Sequence, residues 1–262
     1  MIKKLIIRSS LFRNYTQFLR KVIEKAVYKL TNQKKALLNY KNIYAGKPIL
    51  IVGNGPSLNK TVLDSFVNIP SIGMNKIDLI FSRTKWRPDI IICSNGVVIE
   101  QNKEYYSQSN IPIFLDFKAF FLNLKGKSIN YFYIGNENRF LDTFSEETGW
   151  GHTVTFQALQ LANFLGANPI ILVGIDHNYV IEKGDKITYQ KNTKDDVNHF
   201  DPNYFGKGSI WGVPDLEGSE NDYRMAKSYF ESKNVQVFDA TVGGKLSIFK
   251  KISIEEAIKF TK

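Results

Sequence analysis

The stretch Gly149–Tyr179, GWGHTVTFQALQLANFLGANPIILVGIDHNY, constrains the fold more than any other part of the chain. Its pattern predicts a polar loop, a helix, a tight turn and a buried parallel strand in succession. Val154, Ala158, Leu161, Ala162 and Leu165 recur at three- and four-residue steps and so share one helical face. Gly166 stands where that helix is expected to stop. Pro169 to Ile175 is a continuous apolar run, the pattern of a strand covered on both faces. In open α/β sheets ligands bind beyond the carboxyl ends of the strands. His152, Thr153 and Thr155 before the helix, and Asp176, His177 and Tyr179 after the strand, are therefore expected to form two walls of one site.

The same logic begins earlier, at Lys47. An apolar strand runs into Gly53-Asn54-Gly55-Pro56-Ser57, and a helix is expected from Lys60. Glycines let backbone approach a ligand closely, and a following helix N-terminus can hold phosphate. Neither the third glycine of the dinucleotide fingerprint nor the Gly-Lys-Ser/Thr ending of a P-loop is present. A second strand, Pro70–Asn75, ends in an amide where a dinucleotide enzyme places a carboxylate. A third, Pro88–Asn95, ends in Ser94 and Asn95. One asparagine alone reads as a turn residue. Asn54, Asn75 and Asn95 at equivalent strand ends read as a neutral rim able to recognise a base or ribose.

Shorter strands are expected at Ile111–Leu115, Asn130–Ile134 and Val235–Phe238, and a helix at Ser219–Lys233. Ser253-Ile-Glu-Glu256 is a capping box opening a last helix. Phe114, Phe117, Phe120 and Phe121 read as core, and the adjacent Glu146 and Glu147 as solvated loop residues without chemistry. The fold class is α/β: a Rossmann-like, mostly parallel sheet with helices on both faces, over residues 47–262. Residues 177–218 form a lid-like insertion rich in polar, Gly, Pro and aromatic residues.

A net charge of +10 suggests nucleic acid until the charges are located. Residues 1–47 hold twelve of the 35 Lys and Arg and one of the 25 Asp and Glu, so the remainder is close to neutral. Within the arm, residues 1–46, Leu11, Phe12, Tyr15, Phe18, Leu19, Val22, Ile23, Ala26, Val27 and Leu30 recur at helical spacing with basic residues between them. Such a basic amphipathic helix suits an anionic cytoplasmic leaflet, or equally packing on the domain or on a second subunit. Nucleic acid is not an expected partner, because the body shows no binding motif. No apolar run is long enough to span a bilayer, and the interrupted start MIKKLIIRSSLF does not read as a secretory signal. The single Cys93 excludes an internal disulfide and fits a reducing, cytoplasmic compartment.

All three histidines, His152, His177 and His199, fall at the expected rim or in the lid, where one can activate a hydroxyl. Their spacing matches no zinc or iron pattern and no Asp-x-Asp pair is present, so neither metal nor cofactor is expected.

Three motifs, IVGNGPSL at 51–58, the unit ending LVGID at 172–176, and NHF at 198–200, resemble the bacterial lipooligosaccharide sialyltransferase-like fold group. That group includes Maf-type flagellin glycosylation proteins and archaeal 6-hydroxymethylpterin diphosphokinase-like proteins. The resemblance covers Pro48 to the end and leaves the arm out. It implies a cytidine monophosphate sugar near Gly53, Asn54, Gly55 and Ser57, with Asn75, Ser94, Asn95, Thr153, Thr155 and Asp176 around its ribose, base or sugar. It also implies His199 as the base, with Tyr179 and Tyr189 stabilising the leaving phosphate. Thr153-Val154-Thr155 departs from the sialyltransferase Thr-Ser-Gly, and ATVGG at 240–244 is closer to the flagellin and diphosphokinase-like branch. The expected activity is metal-independent inverting transfer of a nucleotide-activated acid sugar to a glycan or lipid-linked acceptor at the inner membrane face. The alternatives are pyrophosphate transfer from ATP to a pterin alcohol, and a non-catalytic nucleotide-sugar-binding protein.

Overall fold

The computed structural model describes residues 19–180 and 189–261. Eight four-residue or shorter strands form one wholly parallel sheet. In chain order they are β1 (Ile49–Val52), β2 (Ser71–Met74), β3 (Ile90–Cys93), β4 (Ile113–Asp116), β5 (Ile129–Phe132), β6 (Ile170–Val173), and then Val237–Asp239 and Lys250–Lys251. Two further short strands, β7 (Tyr189–Lys191) and β8 (Ile210–Gly212), pair antiparallel in a separate ribbon, so the last two sheet strands are β9 and β10. The sheet order is β10-β9-β6-β1-β2-β3-β4-β5. Strands β2 to β5 extend to one side of β1 and β6 joins its other side, with Ile51 beside both Ile72 and Leu172. The direction of winding therefore reverses between β1 and β6, and a crevice opens at their carboxyl ends.

Alternation along each buried strand feeds two cores. Leu50, Val52, Ile91, Cys93, Ile171 and Val173 face one layer, and Ile49, Ile51, Ile90, Ile92, Ile170 and Leu172 face the other. The first layer is covered by helix α1 (residues 19–30), by α3 (Gly96–Gln101) and α4 (Lys103–Gln108), and by α7 (Ile254–Ile258). The second is covered by α2 (Gln33–Leu38), α5 (Val154–Phe164) and α6 (Leu216–Ser232). The expected capping box opens α7, with Ser253 and Glu256 satisfying each other's backbone N–H groups.

Helix α5 starts at Thr153, whose hydroxyl accepts from Thr155 N, and stops at Gly166, whose φ of +80° is free of cost only for glycine. Its exposed C-terminal carbonyls are taken up by the arm: Asn42 N, Tyr44 N and Gly46 N donate to Phe164, Leu165 and Gly166. Buried Gln160 accepts from Leu141 N and Gly149 N, which pins the loop before α5 to the helix.

Two expectations are corrected, and a question left open by the sequence is answered. No α-helix follows the glycine turn; Pro56–Lys60 and Leu63–Phe66 are 3-10 turns, because β-branched Thr61 takes an extended conformation (φ −103°, ψ 122°) between them. Phe114 and Phe117 are core, but Phe121 is exposed and Phe120 only half-buried. In the arm, the face of α1 turned to the domain is not the apolar stripe. Glu24 and Tyr28 are buried, the Tyr28 hydroxyl donates to Ser145 O (2.8 Å), and Lys21 donates to Ile134 O (3.1 Å). Lys25 and Lys34 pair with Glu147 and Glu146, the two glutamates read as solvated. Leu19, Val22, Ile23 and Leu30 face outward, while Val27 packs on the core. The arm's residues 1–18 lie outside the described residues. No described helix is long and apolar enough to cross a membrane.

Candidate functional site

A cavity of about 560 Å³ opens where the sheet reverses, beyond the carboxyl ends of β1, β2, β3 and β6. Each of those strands delivers residues to it: Gly53, Asn54 and Gly55 from β1, Asn75 from β2, Ser94 and Asn95 from β3, and Asp176 and Tyr179 from β6. Thr153 and Thr155 at the start of α5 form a further wall. The insertion closes over the opening with Tyr189, His199, Tyr204 and Trp211. Of the thirteen residues expected at the site, only Ser57 does not line this cavity.

What these residues do inside it differs from expectation in several places. The missing side chains at Gly53 and Gly55 leave room for protein, not ligand. A Cβ at Gly53 would stand 2.3 Å from Gly174 O, and one at Gly55 1.8 Å from Asp176 Oδ2. The two glycines thus let the loops after β1 and β6 lie against each other. Ser57 fastens them: its N–H donates to Asp176 Oδ1 (3.0 Å) and its hydroxyl to Oδ2 (2.6 Å). Burial raises the Asp176 carboxyl, and the Ser57 bonds only partly offset this. Asn95 is spent as the N-cap of α3, accepting from Val97 N and Val98 N.

Two amides remain available. Asn54 donates from Nδ2 to Met74 O (3.0 Å), but its Oδ1 is buried without a hydrogen-bond partner. Asn75 has φ 53°, the left-handed turn conformation asparagine tolerates, and its Oδ1 is buried without a hydrogen-bond partner. A buried acceptor left unpaired in a polar cavity is a place for a donor from outside.

His199 is the most elaborately held group. Its Nδ1–H donates to Asp196 Oδ2 (2.7 Å), and its ring stacks on Tyr204 with centroids 3.9 Å apart and planes 3° from parallel. Asp196 also accepts from Asn198 N and Phe205 N. Burial alone would raise this carboxyl, yet the bond and charge of His199 and the two backbone donors hold it below its ordinary value. An ionised partner on Nδ1 fixes the tautomer and leaves Nε2 as the basic nitrogen. Lys76 braces the stack: its Nζ donates to Tyr204 O and Gln101 Oε1, both at 2.7 Å, and lies 4.9 Å from the Phe205 ring centre. Tyr179 stands edge-on to His199 at 6.3 Å, and burial raises its hydroxyl well out of the titrating range.

A second histidine–aspartate pair was not anticipated. His152 lines the cavity with Nδ1 3.3 Å from Asp222 Oδ1. Asp222, fully buried on α6, also accepts from His152 N and from Asn138 Nδ2. The pairing spans 70 residues, and no local pattern marks Asp222 as anything but one polar position on an amphipathic helix. Lys118 at the cavity rim was equally unmarked. His177 turns to Glu220, with Nε2 3.2 Å from Oε1. Among the described residues no group of three or more His, Cys, Asp or Glu side chains is arranged to hold a metal ion.

The 6-hydroxymethylpterin diphosphokinase MptE-like family matches residues 14–182. The match begins within the arm, which the resemblance drawn from the three motifs had left out, and ends before His199 and β8. Comparison with curated proteins and with solved structures gives no match. The match takes in α1 to β6, and with them the glycine turn, the asparagine rim and the Asp176 loop, so the chain belongs to the 6-hydroxymethylpterin diphosphokinase MptE-like family.

Proposed function

We propose that the protein is a glycosyltransferase that moves an acid sugar from a cytidine monophosphate donor to an acceptor hydroxyl with inversion, His199 acting as the base. A single observation carries this: a histidine whose Nδ1 is committed to an ionised aspartate, in a polar cavity at the point where the sheet reverses. His199 Nε2 takes the acceptor proton as the acceptor oxygen bonds to the sugar's anomeric carbon. The bond from that carbon to phosphate breaks, and cytidine monophosphate leaves with the electron pair. Asp196 stabilises the imidazolium so formed. Tyr179 and Tyr189 are the groups assigned to the leaving phosphate, and Asn54 Oδ1 offers an acceptor to a base or ribose donor.

The family match favours a second reading, pyrophosphate transfer from ATP to a pterin alcohol. That chemistry uses divalent cations between the phosphates. Asp176, the carboxylate nearest the glycine turn, is already engaged by Ser57, and no metal-binding group forms among the described residues. Magnesium carried in on the phosphates needs only one or two carboxylates, which Asp176 would supply in exchange for its Ser57 bonds, so experiment separates the two readings. A thermal-shift series with CMP, UDP, GDP and ATP, with and without magnesium, separates the readings. CMP alone should stabilise the protein, and His199→Ala should lower donor turnover by about two to four orders of magnitude. Stabilisation by magnesium-ATP only, or unchanged turnover in the variant, would refute the proposal.

A further inference from the structure

Helix α1 holds the domain with its polar side and turns its apolar side to solvent. Val22 is 49% exposed, Ile23 57% and Leu30 87%, an unusual state for aliphatic residues on one helical face. A second segment of the same layer also exposes apolar groups: Phe121 is 54% exposed beside exposed Leu122, and both follow Phe117, which packs edge-on against the buried Tyr28 of α1 (5.0 Å). Aliphatic and aromatic side chains thus stand out from two neighbouring segments.

The charges around them are positive. The acids on this side are each matched: Glu24 by Arg20, Glu147 by Lys25, Glu146 by Lys34 and Asp116 by Lys118. Lys125 and Lys127, four and six residues after Phe121, are exposed and form no ion pair among the described residues, which leaves surplus cations on the segment that carries Phe121 and Leu122. The sequence upstream of the described part adds Lys3, Lys4, Arg8 and Arg13 together with Leu11, Phe12, Tyr15 and Phe18 at the same spacing. Apolar side chains flanked by lysines complement one surface in particular, a bilayer whose headgroups are anionic. A protein partner would satisfy the apolar groups without requiring the surplus of positive charge.

We propose that α1, with Phe121 and Leu122, is a docking surface for an anionic lipid bilayer. The segment Phe117–Leu122 that exposes Phe121 and Leu122 also brings Lys118 to the cavity rim. Under the transferase reading, and only under it, an acceptor anchored in that bilayer meets the cavity at the Lys118 rim.

The test is co-sedimentation of the full chain with phosphatidylcholine vesicles and with vesicles containing phosphatidylglycerol, without donor or acceptor, so that it is independent of any activity. The protein should bind the anionic vesicles, and binding should fall as salt rises. The triple variant Val22→Ser/Ile23→Ser/Leu30→Ser should lose at least about tenfold in partition while keeping its thermal melting temperature, since these side chains are already in water. Absence of binding to anionic vesicles at low salt would overturn the proposal, as would undiminished binding by the folded variant. A dimer that the variant dissociates, with no vesicle binding, would assign the surface to a second copy instead.

Discussion

Substituting Gly55 by alanine separates the two uses of a glycine at a strand end. Gly55 has φ −70° and ψ 160°, a conformation open to alanine, so the backbone itself offers no resistance. The added methyl would stand 1.8 Å from Asp176 Oδ2, 2.4 Å from its Cγ and 2.9 Å from its Cβ, which no small adjustment relieves. Asp176 must swing away, and both Ser57 bonds at 3.0 and 2.6 Å are lost. Each charge-assisted bond contributes about 1.5–3 kcal/mol. Water reaches the half-buried carboxylate and recovers part of that, and the loss of unfolded-chain freedom on Gly→Ala returns about 0.5–1 kcal/mol. The net expectation is a destabilisation of about 2–4 kcal/mol, read as a lowered midpoint at constant slope in urea. Gly96→Ala is the control, for its Cβ meets nothing within 4 Å, and it should change stability by no more than about 1 kcal/mol. Gly53→Ala should exceed Gly55→Ala, since it meets the Gly174 carbonyl, which cannot rotate out of the way. Adding Asp176→Ala to Gly55→Ala should cost less than the two separately, because the shared clash is partly removed. A Gly55→Ala protein as stable as the parent, with weakened nucleotide binding instead, would mean that the glycine serves ligand approach after all.

Two other substitutions probe the histidine pairs. Asp196 has its carboxyl held below the ordinary 3.8, so it contributes stability above that pH, and the contribution fades as pH falls through its folded value. The stability difference between the parent and Asp196→Asn should therefore be full at neutral pH and shrink below about pH 4, measured by denaturant melts across the range; a difference that grows on acidification would contradict the assigned direction. Asp222→Ala strands the donors at His152 N, His152 Nδ1 and Asn138 Nδ2 around a fully buried position, and should cost about 2–5 kcal/mol in the same assay; a loss under 1 kcal/mol would show that the site rearranges freely.

The sheet was legible because its signals are local. Four-residue apolar runs such as Ile49–Val52 and Ile170–Val173 have no other stable use than strands covered on both faces, and the helix–strand unit around Gly166 carries its own start and stop. The position of the cavity followed too, since parallel connectivity places the ends of all forward strands on one edge. The 3-10 turns after Gly55 were not legible from the glycine motif, because they are separated by the extended backbone of Thr61, which nothing in that motif marks.

Composition and periodicity alone determined that this chain is an α/β sheet with a basic amphipathic arm and a polar rim at its strand ends. Only the tertiary structure decided what each of those groups is used for. Glycines 53 and 55 make room for the β6 loop, Asn95 caps the start of a helix, and Asp176 is tied to Ser57. The apolar stripe of α1 faces away from the core because Tyr28 and Glu24 fit the domain better. His152 and Asp222 meet across 70 residues. A side chain's hydrogen bonds and clashes depend on neighbours distant in sequence, whereas periodicity reports only which face it shares, so roles at a site are set by folding and not by spacing.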